Sequence, residues 1–315
     1  MTVPHATIAI LSIGQMGLGI AQLLIAHNYR VITNVSDRSA ATQARARSSS
    51  LHLVTSDEEL VSMADYVLSI VPPRDALATA HRIEAAYRNA NLTKQLYYLD
   101  LNAISPQTAK RLHASFTATT PAIHFIDGGI IGNPPSPSPS DPSGSGWKRP
   151  GIPLSGPVLS SALPSGAHLA SVLNTRYLDS TIGSASGLKC CFAALSKGFT
   201  ALALQSYTTA ASLNVLQPLQ EYLDAYNPGA RQKAERSIVG CTGKAYRWVG
   251  EMNQIGECFA GEGGWEEQAQ VFRQIAGVFQ GLADVVERRG VEGMGEVEGV
   301  VGILGEDLRS SEKER

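Results

Sequence analysis

The residues Ser12, Gly14 and Gly17, in the order Ser-Ile-Gly-Gln-Met-Gly, form a turn that could hold a pyrophosphate. A glycine at 14 lets the backbone come close to phosphate, and one at 17 lets the next helix pack on the strand before it. The amides around Gln15 and Met16, at the start of that helix, would face the anion. Ser12 stands where the pattern G-x-G-x-x-G has its first glycine, so the turn must tolerate a Cβ. A second chemical group is Lys189, flanked by Leu188, Cys190 and Cys191 at the start of an apolar helix. Partial desolvation there would lower its pKa toward the range of a proton donor, whereas a snorkelling lysine would keep its head in water. Asn102 offers an acceptor and donors beyond a strand's carboxyl end, for orienting a carboxylate or carbonyl or for an Asx-turn into the next helix. Ser105 before Pro106 reads as a helix N-cap. Arg247 is placed to bind an acidic substrate group or to pair with Glu251 one turn on, with Trp248 as core.

These residues need particular elements to carry them. Thr7 to Leu11 is a β-branched apolar run, expected as a buried parallel strand, and Ile20, Leu23, Leu24 and His27 give the following helix its inner face, with Asn28 as a left-handed cap. A second strand, Arg30 to Val35, completes a βαβ unit for a dinucleotide. At its end Val35 holds the place where an NAD enzyme usually has an acid, and Ser36, Arg38 and Ser39 follow. That favours a 2′-phosphate and hence NADP over NAD, with Asp37 as a residue that would serve a ribose instead or act as a turn residue. Further strands are expected at Asp65 to Val71, Gln95 to Leu101 and Ile123 to Asp127, with helices at Ser56 to Met63, Asp75 to Tyr87 and Pro106 to Ser115 between them. The turn at Val71, Pro72 and Pro73 should flank the cofactor. The fold class is α/β: an N-terminal doubly wound parallel sheet of Rossmann type to residue 183, then an all-α domain over 184–315.

Asn133 to Pro150 is dominated by Pro, Ser and Gly and reads as a mobile surface loop, with a lid over the substrate as the functional alternative. From Ser184, Leu188, Cys191, Phe192, Leu195, Phe199 and Leu202 recur at helical spacing, predicting a long amphipathic helix. Further helices are expected at Val215 to Tyr226, Ala230 to Cys258, Trp265 to Arg289 and Gly295 to Leu308.

The chain has 315 residues, 43% hydrophobic and 17% charged, with a net charge of -2. It is long enough for two cores, and its near-neutral balance gives no reason to expect nucleic acid or an anionic membrane as partner. No run approaches the roughly 18 to 20 apolar residues of a span, and no metal-ligand spacing is visible. The first strand begins at once where a leader would lie, and the four cysteines read as reduced thiols, so a cytoplasmic location is expected.

Four segments line up in one order: Ser12 to Gly17, Asp100 to Pro106 (DLNAISP), Asp127 to Gly132 (DGGIIG) and Gly183 to Lys189 (GSASGLK). This order resembles the β-hydroxyacid dehydrogenase and 6-phosphogluconate dehydrogenase-like NAD(P)-dependent oxidoreductases over nearly the whole chain. Asn-Ala-Ile-Ser-Pro, Lys197-Gly198, and Ala245 to Trp248 with Glu251-Met252 resemble a subgroup common in fungi that has its own C-terminal domain. The resemblance implies Lys189 as general acid and base, substrate binding by the segment Asp100 to Ala103, a pocket shaped by the glycine run Gly128 to Gly132, with Gly128 and Gly129 at the substrate, and a homodimer formed through the helical domain. Asn102 and Ala103 replace the family's serine and threonine, and Ala193 replaces its asparagine, which points away from a 3-hydroxyisobutyrate-like substrate. The expected reaction is hydride transfer to or from a carbonyl or hydroxyl carbon of a small acidic substrate. Imine reduction and a non-catalytic cofactor-binding regulator are the alternatives.

Overall fold

The computed structural model describes residues 3–138 and 146–313, apart from the side chains of 41 and 311–313. The first half alternates strand and helix: β1 (Thr7–Ile10), α1 (Gln15–Ala26), β2 (Arg30–Asn34), α2 (Ala40–Arg47), β3 (His52–Val54), α3 (Asp57–Met63), β4 (Tyr66–Ser69), α4 (Ala76–Asn89), β5 (Leu96–Asp100), α5 (Pro106–Thr119) and β6 (Ile123–Gly128). These strands pair in parallel in the order β3-β2-β1-β4-β5-β6, the doubly wound arrangement. A short pair, β7 (Ser136–Pro137) and β8 (Trp147–Lys148), is antiparallel. Then β9 (Ile152–Ser155), α6 (Gly166–Val172) and β10 (Thr175–Tyr177) extend the sheet beyond β6, and here the expected all-parallel sheet is interrupted, because β9 runs antiparallel to β6.

Alternation along the strands explains the two buried layers. Ile8, Ile10, Leu68, Leu99 and Ile126 face one way with Ile20, Leu23 and Leu24 of α1. Ala9, Val67, Tyr98 and Phe125 face the other way with Ile83 of α4 and with Leu112 and Phe116 of α5. Each fully buried Ile, Leu or Phe contributes about 1.5–3 kcal/mol, which is why both faces read as apolar in sequence. Asn28 ends α1 at φ 61°, with Asn28 N donating to Ile25 O and Tyr29 N to Leu24 O, the paired bonds of a left-handed helix stop. At α3, Ser56 Oγ accepts from Glu59 N at 3.1 Å, while the Glu59 carboxylate turns back to Thr55 N at 2.8 Å.

Several elements differ from expectation. The helix α2 and the three-residue β3 were not predicted, since Ala40 to Arg47 carries no large apolar stripe. The segment 133–150 is not simply a loop. Its flanks pair as β7 and β8, and a Cβ on Gly19 would lie 3.0 Å from Pro135, so the chain after β6 packs directly on α1. Its centre, and with it the reading as a lid, lies outside the described residues.

The second half contains α7 (Ser184–Ser212), α8 (Leu216–Tyr226), α9 (Pro228–Cys241), α10 (Ala245–Gly261), α11 (Gln270–Arg289) and α12 (Val297–Lys313). A 3-10 turn at Thr242–Lys244 divides what was expected as one helix, and α11 begins five residues later than Trp265. By compactness the chain divides at Cys190, so the first two turns of α7 belong to the first unit and the expected boundary at 183 moves inward. The apolar stripe of α7 faces outward: Phe192, Leu195 and Leu202 are 48%, 78% and 62% exposed, while Ala193, Ala201 and Leu204 are buried. At 29 residues and a mean hydropathy of 1.3 over its most apolar window, α7 is also long and apolar enough to cross a membrane, contrary to the sequence reading. Half of that window is buried within the protein, and Lys197 inside it is buried and paired with Glu251, as suits a core helix.

Candidate active site

The glycine turn sits at the carboxyl end of β1. Gly14 is the N-cap of α1, with no side chain capping the helix and no acidic residue in its first turn. The first amides therefore present donors, and the positive end of the helix dipole, to whatever lies above them. A Cβ on Gly14 would meet only Ser12 Oγ, at 3.8 Å, so the approach is open. At Gly17 a Cβ would fall 1.8 Å from the Ser12 carbonyl oxygen, and only glycine lets the helix lie this close to the turn. Gln15 is exposed and Met16 half-buried beside the opening. Open amides over a close-packed glycine are what a pyrophosphate site requires, and Ser12 Oγ stands beside them.

At the carboxyl end of β2 the predicted residues have partners of their own. Ser36 N and Oγ both donate to Asn34 Oδ1, at 3.1 and 2.7 Å. Ser39 caps α2, accepting from Thr42 N at 3.4 Å. Arg38 Nε lies 3.3 Å from Asp37 Oδ1, and Arg82 of α4 donates to Asp37 Oδ2 at 3.1 Å. Arg45 of α2 also reaches the glycine turn, donating to Ile13 O at 2.9 Å. Neither Arg82 nor Arg45 was expected from sequence, since each arises from a helix whose register with the strand ends is set by tertiary packing.

At the ends of β4, β5 and β6 the structure gives two of the predicted residues different tasks. Asn102 is 2% exposed, and its amide is used within the fold: Oδ1 accepts from Val71 N at 2.7 Å, and Nδ2 donates to Ser69 Oγ and Asp100 Oδ2, each at 3.0 Å. Both amide hydrogens are committed, so Asn102 ties the β4 turn to β5 instead of orienting a substrate, and it does not form the Asx-turn either. Val71 is held by this bond, and Pro72 opens the 3-10 turn at Pro73–Asp75. Gly128 is enclosed: a Cβ there would stand 2.7 Å from both Leu101 Cδ2 and Leu154 Cδ2, so its small size serves packing, not a pocket.

Gly129 and Lys189 do come together. A Cβ on Gly129 would lie 3.0 Å from Lys189 Cβ and 3.2 Å from its Cγ, so the lysine stem runs against the glycine backbone. The half-buried Lys189 donates through Nζ to Ile130 O at 2.6 Å. The start of the helix that carries Lys189 is held by Asp127, which sequence reading named only as part of a segment. Its carboxylate accepts from Gly183 N at 2.9 Å, Ser186 N at 3.1 Å, Ser186 Oγ and Ser155 Oγ at 2.9 Å, capping α7 one turn before Lys189. Burial pushes the Asp127 carboxyl up, against the downward pull of these donors. Asp100, paired in register with Asp127 on the adjacent strand, is pushed up to about 7 by burial, with the neighbouring Asp127 charge adding to the shift.

Arg247 belongs to the second unit, in the first turn of α10, and its Nε is buried with no hydrogen-bond partner among the described residues. Trp248 packs edge-on against Phe279 at 5.0 Å, as its core alternative requires, and Glu251 pairs with the buried Lys197, which also lies over the Trp248 ring at 5.2 Å.

An uncapped glycine turn under a sheet in this strand order is the arrangement of a dinucleotide-binding fold. Residues 7–136 match the NAD binding domain of 6-phosphogluconate dehydrogenase, and residues 210–282 match a domain of unknown function (DUF1932). The chain thus carries, in this order, a segment similar to that NAD binding domain and a segment similar to that second family. Similar solved structures include a 3-hydroxyisobutyrate dehydrogenase from Salmonella typhimurium, 14% identical over 95% of this chain and 99% of its own, with a TM-score of 0.62. A conserved protein of unknown function, described as structurally similar to 3-hydroxyacid dehydrogenases, is 24% identical over 88% of this chain and 97% of its own, with a TM-score of 0.59. A reductive aminase from Aspergillus terreus, solved with NADPH, is 18% identical over 96% of this chain and 98% of its own, with a TM-score of 0.51. No curated protein matches the chain.

Proposed function

We propose that the protein is an NADP-dependent oxidoreductase acting on a carbonyl or hydroxyl carbon of a small acidic substrate, with Lys189 as the group that gives or takes the proton. The observation that carries this reading is the seat of Lys189. Its amine is hydrogen-bonded to Ile130 O and its stem lies on Gly129, at the carboxyl end of the strand next to β5. Ligands of open α/β sheets bind beyond those strand ends. The nicotinamide, when bound, supplies the hydride or accepts it. The uncapped start of α1 holds the pyrophosphate, and Ser36, Arg38 and Ser39 favour the 2′-phosphate of NADP. Lys189 Nζ delivers its proton to the developing alkoxide during reduction and removes it during oxidation, while the Ile130 carbonyl fixes where the amine points.

The outward stripe Phe192, Leu195 and Leu202 supports a homodimer through the helical domain, and the four free cysteines suit a reducing compartment, the cytoplasm in this reading. A Leu195→Glu variant should then sediment as a monomer, and a monomeric parent protein would refute the pairing.

Lys189→Ala should abolish NADPH-dependent turnover of carbonyl substrates while leaving NADPH binding within about twofold. Turnover unchanged in Lys189→Ala would refute the assignment. Turnover of imines alone, surviving the substitution, would favour imine reduction in its place.

A further inference from the structure

At the end of β2 six side chains form a connected chain. Ser36 is bound to Asn34 Oδ1, Asn34 Nδ2 donates to Asp57 Oδ1 at 2.8 Å, Asp57 Oδ2 lies 2.7 Å from Arg82 Nε, and Arg82 Nη1 donates to Asp37 Oδ2 at 3.1 Å. Arg38 Nε closes on the other oxygen of the same Asp37 carboxylate at 3.3 Å. Two guanidinium groups from different elements, the loop after β2 and α4, thus converge on one carboxylate. Arg82 is braced from behind by the mostly buried Asp57, in a close ion contact whose N–H is not aligned as a hydrogen bond. Asp37 lies on a loop with its side chain about half exposed, so solvent or a ligand can reach the carboxylate from outside.

We propose that Arg82 is a specificity-determining residue, the second cation of the 2′-phosphate site, and that Asp37 is the internal anion a 2′-phosphate displaces. This rests on the NADP reading above. A phosphomonoester offers three strong acceptor oxygens and about -1.5 to -2 charges where the carboxylate offers two oxygens and one charge. It can therefore satisfy Arg38 and Arg82 together with charge to spare. For Asp37 to serve a ribose instead, it must leave both guanidinium groups, and a ribose returns no charge to either. The same cluster that welcomes NADP thereby penalises NAD.

The test is titration of the full chain with NADPH and with NADH, following nicotinamide fluorescence, in the parent protein and in Arg38→Gln, Arg82→Gln and Asp37→Asn, with 2′,5′-ADP and 5′-AMP as competitors. Arg82→Gln should weaken NADPH and 2′,5′-ADP about tenfold or more, the equivalent of one charged hydrogen bond, and change NADH and 5′-AMP less than about threefold. Asp37→Asn should tighten NADPH about threefold or more and leave NADH unaltered. A parent protein that binds NADH as tightly as NADPH would overturn the NADP reading and this inference with it. NADPH preference lost in Arg38→Gln but kept in Arg82→Gln would leave that reading standing and overturn the role of Arg82. Equal weakening of both coenzymes in Arg82→Gln would make Arg82 a brace for Asp57 only, and would likewise overturn it. Should Arg82→Gln fail to fold, the exposed Asp37→Asn decides, because unchanged NADPH affinity there means that no phosphate displaces the carboxylate.

Discussion

Asp127→Asn is the substitution that most directly tests how the site is assembled. The carboxylate accepts from Gly183 N, Ser186 N and Ser155 Oγ on Oδ2 and from Ser186 Oγ on Oδ1. An asparagine keeps its oxygen where Oδ2 stood, because three donors point there, and places its amide toward Ser186 Oγ, which can rotate to accept. Three charge-assisted bonds then become neutral ones. Each step from about 1.5–3 to about 0.5–1.5 kcal/mol loses roughly 1 kcal/mol. The loss of about 3 kcal/mol is partly offset because the neutral amide no longer suffers the desolvation that raises the Asp127 pKa. The expected net cost is about 2 kcal/mol, read as a lower urea midpoint with an unchanged slope. Asp127→Ala would orphan the buried donors and should cost about 4 kcal/mol or more. Because the capped turn lies one turn before Lys189, Asp127→Asn should also lower kcat more than it raises KM for NADPH. If both variants keep their stability within about 0.5 kcal/mol and their kcat, Asp127 does not anchor α7 and the reasoning is refuted.

Two other outcomes follow from the same strand ends and from the glycine turn. Asp100 has its pKa raised from 3.8 to about 7, so the native state holds a proton that the unfolded chain has lost; its contribution is full below pH 4 and disappears as pH rises through 7, on the order of 4 kcal/mol at most. Denaturant midpoints measured from pH 4 to 8 should show that decline relative to Asp100→Asn, and parallel curves for the two proteins would contradict it. Gly17→Ala puts a methyl 1.8 Å from the Ser12 carbonyl oxygen, which forces the turn open; NADPH affinity should fall at least about tenfold, whereas Gly14→Ala, with open space above it, should alter the fold little and act on binding alone.

The parts of the fold that were legible were those with a local cause. The glycine turn, the left-handed Asn28, the Ser56 cap and the apolar strands each follow from a few adjacent residues, and they lie where expected. What was not legible depends on distant partners. Asn102 looks like a ligand in sequence, and only the approach of Ser69 and Val71 across β4 shows that its amide is already committed. The stripe on α7 has the spacing of a core face, yet small alanines on the opposite side are what the unit buries, since close packing favours them there. Asp127 carried a usable signal, an acid at a buried strand end in the same position as Asp100 one strand earlier, but its partners lie 56 and 59 residues away.

The continuity of α7 bears on how such proteins can be recombined. Its first turns, with Lys189, belong to the sheet-containing unit, and the remainder to the helical one, with no linker between them. A chimera cut at Gly183 would graft a foreign lysine onto the native Gly129 and Asp127. One cut after Cys190 would keep the lysine with its seat but splice two sequences inside a helix. A graft that keeps residues 183–190 with the first unit therefore preserves both the Asp127 cap and the bond from Lys189 to Ile130.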